Sequence, residues 1–146
     1  MTGYNEITLA AWLHDVIYDS RATDNEERSA DYAQSLCAKL SYPQGPVVAA
    51  LILQTKSHHA GDDADAQVLL DADLAILGAD EPVYRTYAAN IRLEYSWVPE
   101  TEYRLGRRRI LERFLNRPSI YHFLVQLENA ARRNMAAEVA QLERTC

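Results

Sequence analysis

Residues 9–19, Leu-Ala-Ala-Trp-Leu-His-Asp-Val-Ile-Tyr-Asp, put an adjacent His14-Asp15 pair at the end of a strongly apolar helical run. Leu9 to Leu13 are apolar on nearly every side of a helix, which predicts a central helix covered by others. An imidazole and an ionised aspartate beside such a segment lose hydration, so each needs a strong partner. A divalent metal ion is the commonest partner that uses both. A second polar intrusion lies in Leu70-Asp71-Ala72-Asp73-Leu74-Ala75-Ile76-Leu77. At about 100° per residue, Leu70, Leu74 and Leu77 form one stripe. Asp73 falls within that stripe, whereas Asp71 lies to one side and is expected to reach solvent. His14, Asp15 and Asp73 together offer one nitrogen and two carboxylates, a set that suits Mn, Fe, Co, Ni or Zn and tolerates Mg. The competing explanation is structural: a core imidazole for His14, and for Asp73 a helix cap or an arginine partner.

Outward from these two stretches the pattern is helical throughout. The first helix is expected from about Glu6 to Tyr18. Thr23 with Glu26, or Asp24 with Glu27, has capping-box spacing and opens a second helix that runs to Leu40. Its apolar stripe is Ala30, Ala33, Leu36, Cys37 and Leu40. Ser41 to Pro46 read as a loop, and a third helix follows over Val47–Ser57. A fourth covers Ala66–Leu77 and stops at Gly78. Pro82 and Pro99 mark helices near 82–95 and 100–115. Asn116-Arg117-Pro118 breaks the chain before a last helix over Ser119–Glu143. No period-2 strand or internal repeat is present. The expected class is all-α, a single domain of about seven helices.

The chain has 146 residues, 48% hydrophobic and 25% charged, with a net charge of −6. That length buries a real core, and the acidic balance argues against nucleic-acid binding. An anionic substrate stays compatible, because a metal and a few arginines reverse the potential locally. Cys37 and Cys146 are too few for a disulfide framework, which sets a reducing cytoplasm as the expected location. The N-terminus shows no signal-peptide pattern, and Val47–Leu53, the longest clearly apolar run, falls short of the ~20 residues needed to cross a bilayer.

His14-Asp15 followed by Asp73 in Asp-Ala-Asp-Leu resembles the HD-domain superfamily of metal-dependent phosphohydrolases. The resemblance extends to His-Asp-Val-Ile-Tyr-Asp, Asp-Asn-Glu-Glu-Arg-Ser-Ala, Leu-Asp-Ala-Asp-Leu-Ala-Ile-Leu-Gly and Arg-Pro-Ser-Ile-Tyr. It covers roughly residues 8–140 and is similar to a small bacterial branch of predicted phosphohydrolases. It implies an HD-type bundle, His14, Asp15 and Asp73 as metal ligands, and a small phosphomonoester or nucleotide as substrate. It further implies a histidine near the active cleft that contacts phosphate or supports a second metal, and Thr55-x-x-His58 fits that spacing better than His59.

The branch carries its first metal-binding His on an upstream helix, whereas here 13 residues precede His14 and none is His. The expectation is a late-start or shortened chain with weakened metal affinity and apolar surface exposed over Leu9–Leu13. Three outcomes stay open: a longer parent protein, lost activity, or a gap filled by His58 or a partner subunit. The second function class is accordingly a non-catalytic HD-fold module for binding or homodimer formation.

Asp19, four residues after Asp15, has the place of a group that aligns or deprotonates a metal-bound water, or of a simple turn residue. Arg104, Arg107, Arg108 and Arg109 form the one dense basic cluster. Arg107 is the candidate for a bidentate substrate-phosphate contact, set against a solvated face that pairs with Glu102 and Glu112. Tyr84, Tyr87, Tyr95, Trp97 and Tyr103 read as packing residues. No G-x-S-x-G or glycine-rich phosphate loop occurs.

Overall fold

A computed structural model of the chain describes residues 3–144, so Cys146 lies outside the described residues. Among those residues there are seven α-helices and no strand, which makes the class all-α. No helix among them is long and apolar enough to cross a membrane. The chain forms two compact units, residues 1–73 and 74–146.

The first unit holds α1 (Tyr4–Leu13), α2 (Asn25–Lys39), α3 (Gly45–Gln54) and nearly all of α4 (Ala64–Leu74). Its centre is α3, whose sequence is apolar almost throughout and which packs on both α2 and α1. Pro46 sits in its first turn, where the missing N–H costs nothing. Val48 and Ile52 are fully buried beside Ala10, Ala33, Ala66 and Leu69, each large side chain contributing about 1.5–3 kcal/mol. Gly45 allows α2 close: a Cβ there would stand 3.0 Å from Cys37 Cβ. Cys37 is a buried free thiol.

Three expectations change here. α1 stops at Leu13, so His14 caps it and Asp15 stands in the turn beyond. Nor is α1 covered all round, since Tyr4 and Trp12 are each 82% exposed. The capping box of α2 is also not formed. Asp24 makes no side-chain cap, and Glu27 instead pairs with Lys56, which also donates to Thr23 O.

The second unit holds α5 (Glu81–Glu94), α6 (Glu100–Leu115) and α7 (Glu128–Glu143), with a 3₁₀ turn over Ala75–Gly78 packed on α7 and α5. Leu77, Tyr84, Leu111, Ile120, Ala131 and Met135 form its core. The last helix starts nine residues later than its expected Ser119. Glu128 explains the delay: its Oε1 accepts the Ile120 N–H at 2.7 Å and the Ser119 hydroxyl at 3.1 Å, holding that segment as a loop. Tyr121 then donates to Leu74 O at 2.7 Å, and Asn134 donates to the Leu77 and Ala79 carbonyls.

Gly78 packs where no side chain fits. A Cβ would meet Leu127 Cβ at 2.7 Å and Leu127 O at 3.0 Å. Gly78→Ala is therefore expected to cost about 1–3 kcal/mol in urea unfolding. Unchanged stability would mean that the 3₁₀ turn is free to move away.

Candidate functional site

α1 ends in a turn that aims His14. Its Nδ1 lies 2.7 Å from Ala11 O, so that nitrogen carries the proton and donates it to the carbonyl. Nε2 is thereby directed at two carboxylates, Asp15 Oδ2 at 3.2 Å and Asp73 Oδ1 at 3.1 Å. Asp73, near the end of α4, accepts a second imidazole through Oδ2, 3.2 Å from His58 Nε2. Four residues named from the sequence thus meet within the first unit: His14, Asp15, His58 and Asp73.

His58 reaches this position through its backbone. Its φ is +52°, a left-handed conformation that ends the turn after α3. Histidine is among the residues that tolerate this region, at a cost of about 1–3 kcal/mol when imposed. The neighbouring His59 is exposed and takes no part in the cluster.

The electrostatics follow from these contacts. The Asp15 and Asp73 carboxylates raise the His14 pKa to about 10, against the opposing effect of burial. Burial works to raise the Asp73 pKa, but the hydrogen bonds and charge of His14 and His58 outweigh it and hold the carboxyl well below the usual range. Exposure grades across the cluster: the side chains of His14 and Asp73 are 18% and 25% exposed, and that of Asp15 is 69% exposed. Asp15 forms the rim.

Asp73 differs from its sequence-based description in one respect. It lies inward but keeps contact with solvent, while Asp71 is the more deeply buried, at 2% exposure. The expectation that Asp71 reaches solvent is corrected. A stripe drawn through three leucines says nothing about polar partners on the flank, and Asp71 has such interactions.

Asp19 makes its hydrogen bonds within its own turn. Its Oδ1 accepts the Arg21 N–H at 2.9 Å, and its backbone exchanges two hydrogen bonds with the Asn25 side chain. These contacts make it a turn residue that fixes the start of α2. Arg107 belongs to the second unit, where Nε and Nη2 bind Glu138 of α7 at 2.8 and 3.1 Å. Its partner is neither Glu102 nor Glu112, and its fork is taken up by that carboxylate rather than open to a phosphate. Arg108 is the residue that pairs with Glu112.

Sequence reasoning missed Ser29. This fully buried hydroxyl both accepts the Ile17 N–H and donates to Ile17 O, each at 3.1 Å. It clamps the segment that leaves Asp15 onto α2. A serine within a helix gives no signal of this until its neighbour in space is known. Ser29→Ala takes this partner from the half-buried Ile17 N–H and C=O and is expected to cost about 1–3 kcal/mol. Faster amide exchange at Ile17 would report the released loop, and unaltered exchange there would show that the clamp is dispensable.

Among the described residues, no group of three or more His, Cys, Asp or Glu side chains is arranged to hold a metal ion as it stands. The imidazole nitrogens and carboxylate oxygens are instead bonded directly to one another. In chemistry the donors do suit an ion. Two Nε2 atoms and two carboxylates are present, and His14 Nδ1 is fixed by a carbonyl in the manner of a metal-binding histidine. Comparison with protein-family models, curated proteins and solved structures gave no match.

Proposed function

We propose that this chain is a metal-dependent phosphohydrolase of the HD type acting on a small phosphomonoester or nucleotide. The observation that carries the reading is the convergence of His14, Asp15, His58 and Asp73 from three separate stretches of sequence. Their N···O separations of 3.1–3.2 Å are close to the ~3 Å between neighbouring ligands bonded to one ion at ~2.1 Å. His14, Asp15 and Asp73 would hold the ion. When bound there, a divalent ion supplies Lewis acidity toward a phosphoryl oxygen and lowers the pKa of water.

The chain's own residues do the rest. Ala11 O fixes the His14 tautomer so that Nε2 faces the cluster. Asp73 orients both imidazoles with its two oxygens. His58 is the imidazole placed to contact a phosphate oxygen, held by the left-handed backbone. Asp19 and Ser29 position the segment that follows Asp15. Arg107 is held by Glu138 in the second unit. The proposal includes a cytoplasmic location, the default for a chain with two cysteines and no disulfide framework.

A panel of phosphomonoesters and nucleotides, offered to protein loaded with Mn or Co, tests the reading. Hydrolysis of at least one member, lost in His14→Gln, is expected. No hydrolysis of any member would remove the enzyme. One observation favours the second reading, a non-catalytic module on an HD-type bundle: Asp73 already accepts hydrogen bonds from His14 and His58 on both its oxygens.

A further inference from the structure

Two of the stretches that converge on Asp73 are joined a second time, away from it. The loop over residues 14–24 carries His14 and Asp15 and runs on to the start of α2. Three contacts fasten it. Ser29 brackets Ile17, Asn25 exchanges hydrogen bonds with the Asp19 backbone, and Thr23 O accepts the Lys56 ammonium at 2.8 Å. The same ammonium pairs with Glu27 in the first turn of α2. Ser29 and Asn25 tie the loop to α2, whereas Lys56 stands in the turn that follows α3, two residues before His58.

That turn needs a hold. His58 has a φ of +52°, and a left-handed residue other than glycine persists where its surroundings fix it. Its ring meets Asp73 at 3.2 Å, the long end of the N–H···O range, and a bond of that length restrains the ring loosely. Thr55 is buried and its hydroxyl donates to Ile52 O at 2.6 Å, which fixes the beginning of the turn to α3. Lys56 supplies the lateral hold. Both of its bonds are charge-assisted, and their acceptors lie on the loop and on α2.

We propose that Lys56 is a positioning residue for His58. Its bonds to Thr23 O and Glu27 hold the turn after α3 against the loop that leaves Asp15, and so keep the His58 imidazole on Asp73. The Lys56 and Glu27 side chains are both nearly half exposed, and ion pairs at such exposure add little to the stability of a fold. The effect of Lys56 is therefore local: it sets where one ring stands. Its consequence for a substrate, through the contact of His58 with a phosphate oxygen, rests on the phosphohydrolase reading. The placement of the ring does not.

Long-range imidazole nitrogen spectra of the full, metal-free chain test the proposal beside urea unfolding. In Lys56→Met the His58 signals are expected to move toward those of exposed His59, while the urea midpoint stays near the parent's. Glu27→Gln keeps an acceptor without its charge and should move them the same way, but less. Lys56→Arg retains the charge and the donors and should restore the parent spectrum. His58 signals unmoved in Lys56→Met overturn the proposal. So does a His14 displaced as far as His58, a steep fall in the urea midpoint, or a Lys56→Arg spectrum identical to that of Lys56→Met. Where the parent hydrolyses a phosphomonoester, Lys56→Met should raise KM about tenfold with kcat little changed, as lost phosphate binding requires. A panel in which nothing is hydrolysed removes the phosphohydrolase reading alone, and the His58 spectrum still decides the role of Lys56.

Discussion

Asp73→Asn is expected to weaken divalent-ion binding by more than about 100-fold while leaving the helices intact. The substitution keeps the shape of the side chain and one acceptor oxygen but removes its charge. In the native chain both Asp73 oxygens are engaged by imidazoles, His14 at 3.1 Å and His58 at 3.2 Å. Losing an outer partner of a ligand already costs about 10–100-fold in affinity, and the loss of an anionic ligand exceeds that. Binding isotherms with Mn or Co, read beside far-ultraviolet circular dichroism, separate lost affinity from lost fold. Equal affinity in parent and variant would remove Asp73 from the ligand set.

The second large effect belongs to the second unit and is one of stability. Arg107 and Glu138 are paired at 7% and 10% side-chain exposure, with the Tyr84 hydroxyl donating to the same carboxylate at 2.7 Å. Burial alone would lower the Arg107 pKa, but Glu138 more than compensates and the guanidinium stays charged. Glu138→Ala strands that charge in the core and is expected to cost about 3–5 kcal/mol. Replacing both partners, Arg107→Met with Glu138→Leu, removes the charges together and should restore most of the loss. Urea unfolding of the two singles and the double closes the cycle. A double variant no better than the worse single would show that the pair contributes more than mutual neutralisation.

The punctuation of the chain was legible where proline sets it. Pro82 and Pro99 place α5 and α6 at Glu81–Glu94 and Glu100–Leu115, almost as expected from the sequence. The start of α7 was not, because what holds residues 119–121 off the helix is the Glu128 carboxylate, a contact no periodicity contains. For α1 the apolar run was clear, yet apolar on every side does not mean covered on every side. The neighbours α2 and α3 take one side of this short helix and leave Trp12 outside.

At the site, residue types chosen for their chemistry could be named from sequence, but their mutual distances could not. His14, Asp15, His58 and Asp73 come from three stretches and meet only because α1, α4 and the turn after α3 fold together. Arg107 shows the opposite case. Its charge and neighbours suggested a phosphate, and the fold supplies a carboxylate on α7 instead. Ser29 carried no sequence signal, since an ordinary helical serine gains its importance only from the Ile17 backbone it meets.

The central claim is that His14, Asp15 and Asp73 would hold one ion, with His58 hydrogen-bonded to Asp73 beside it. The chain has four histidines, at positions 14, 58, 59 and 122, so long-range imidazole nitrogen spectra are simple enough to follow each ring. Titration with Zn is the most direct measurement. The account predicts that the Nε2 signals of His14 and His58 shift together and saturate at one stoichiometry, while His122 is unmoved. Zinc that perturbs neither ring, or His59 alone, would contradict it.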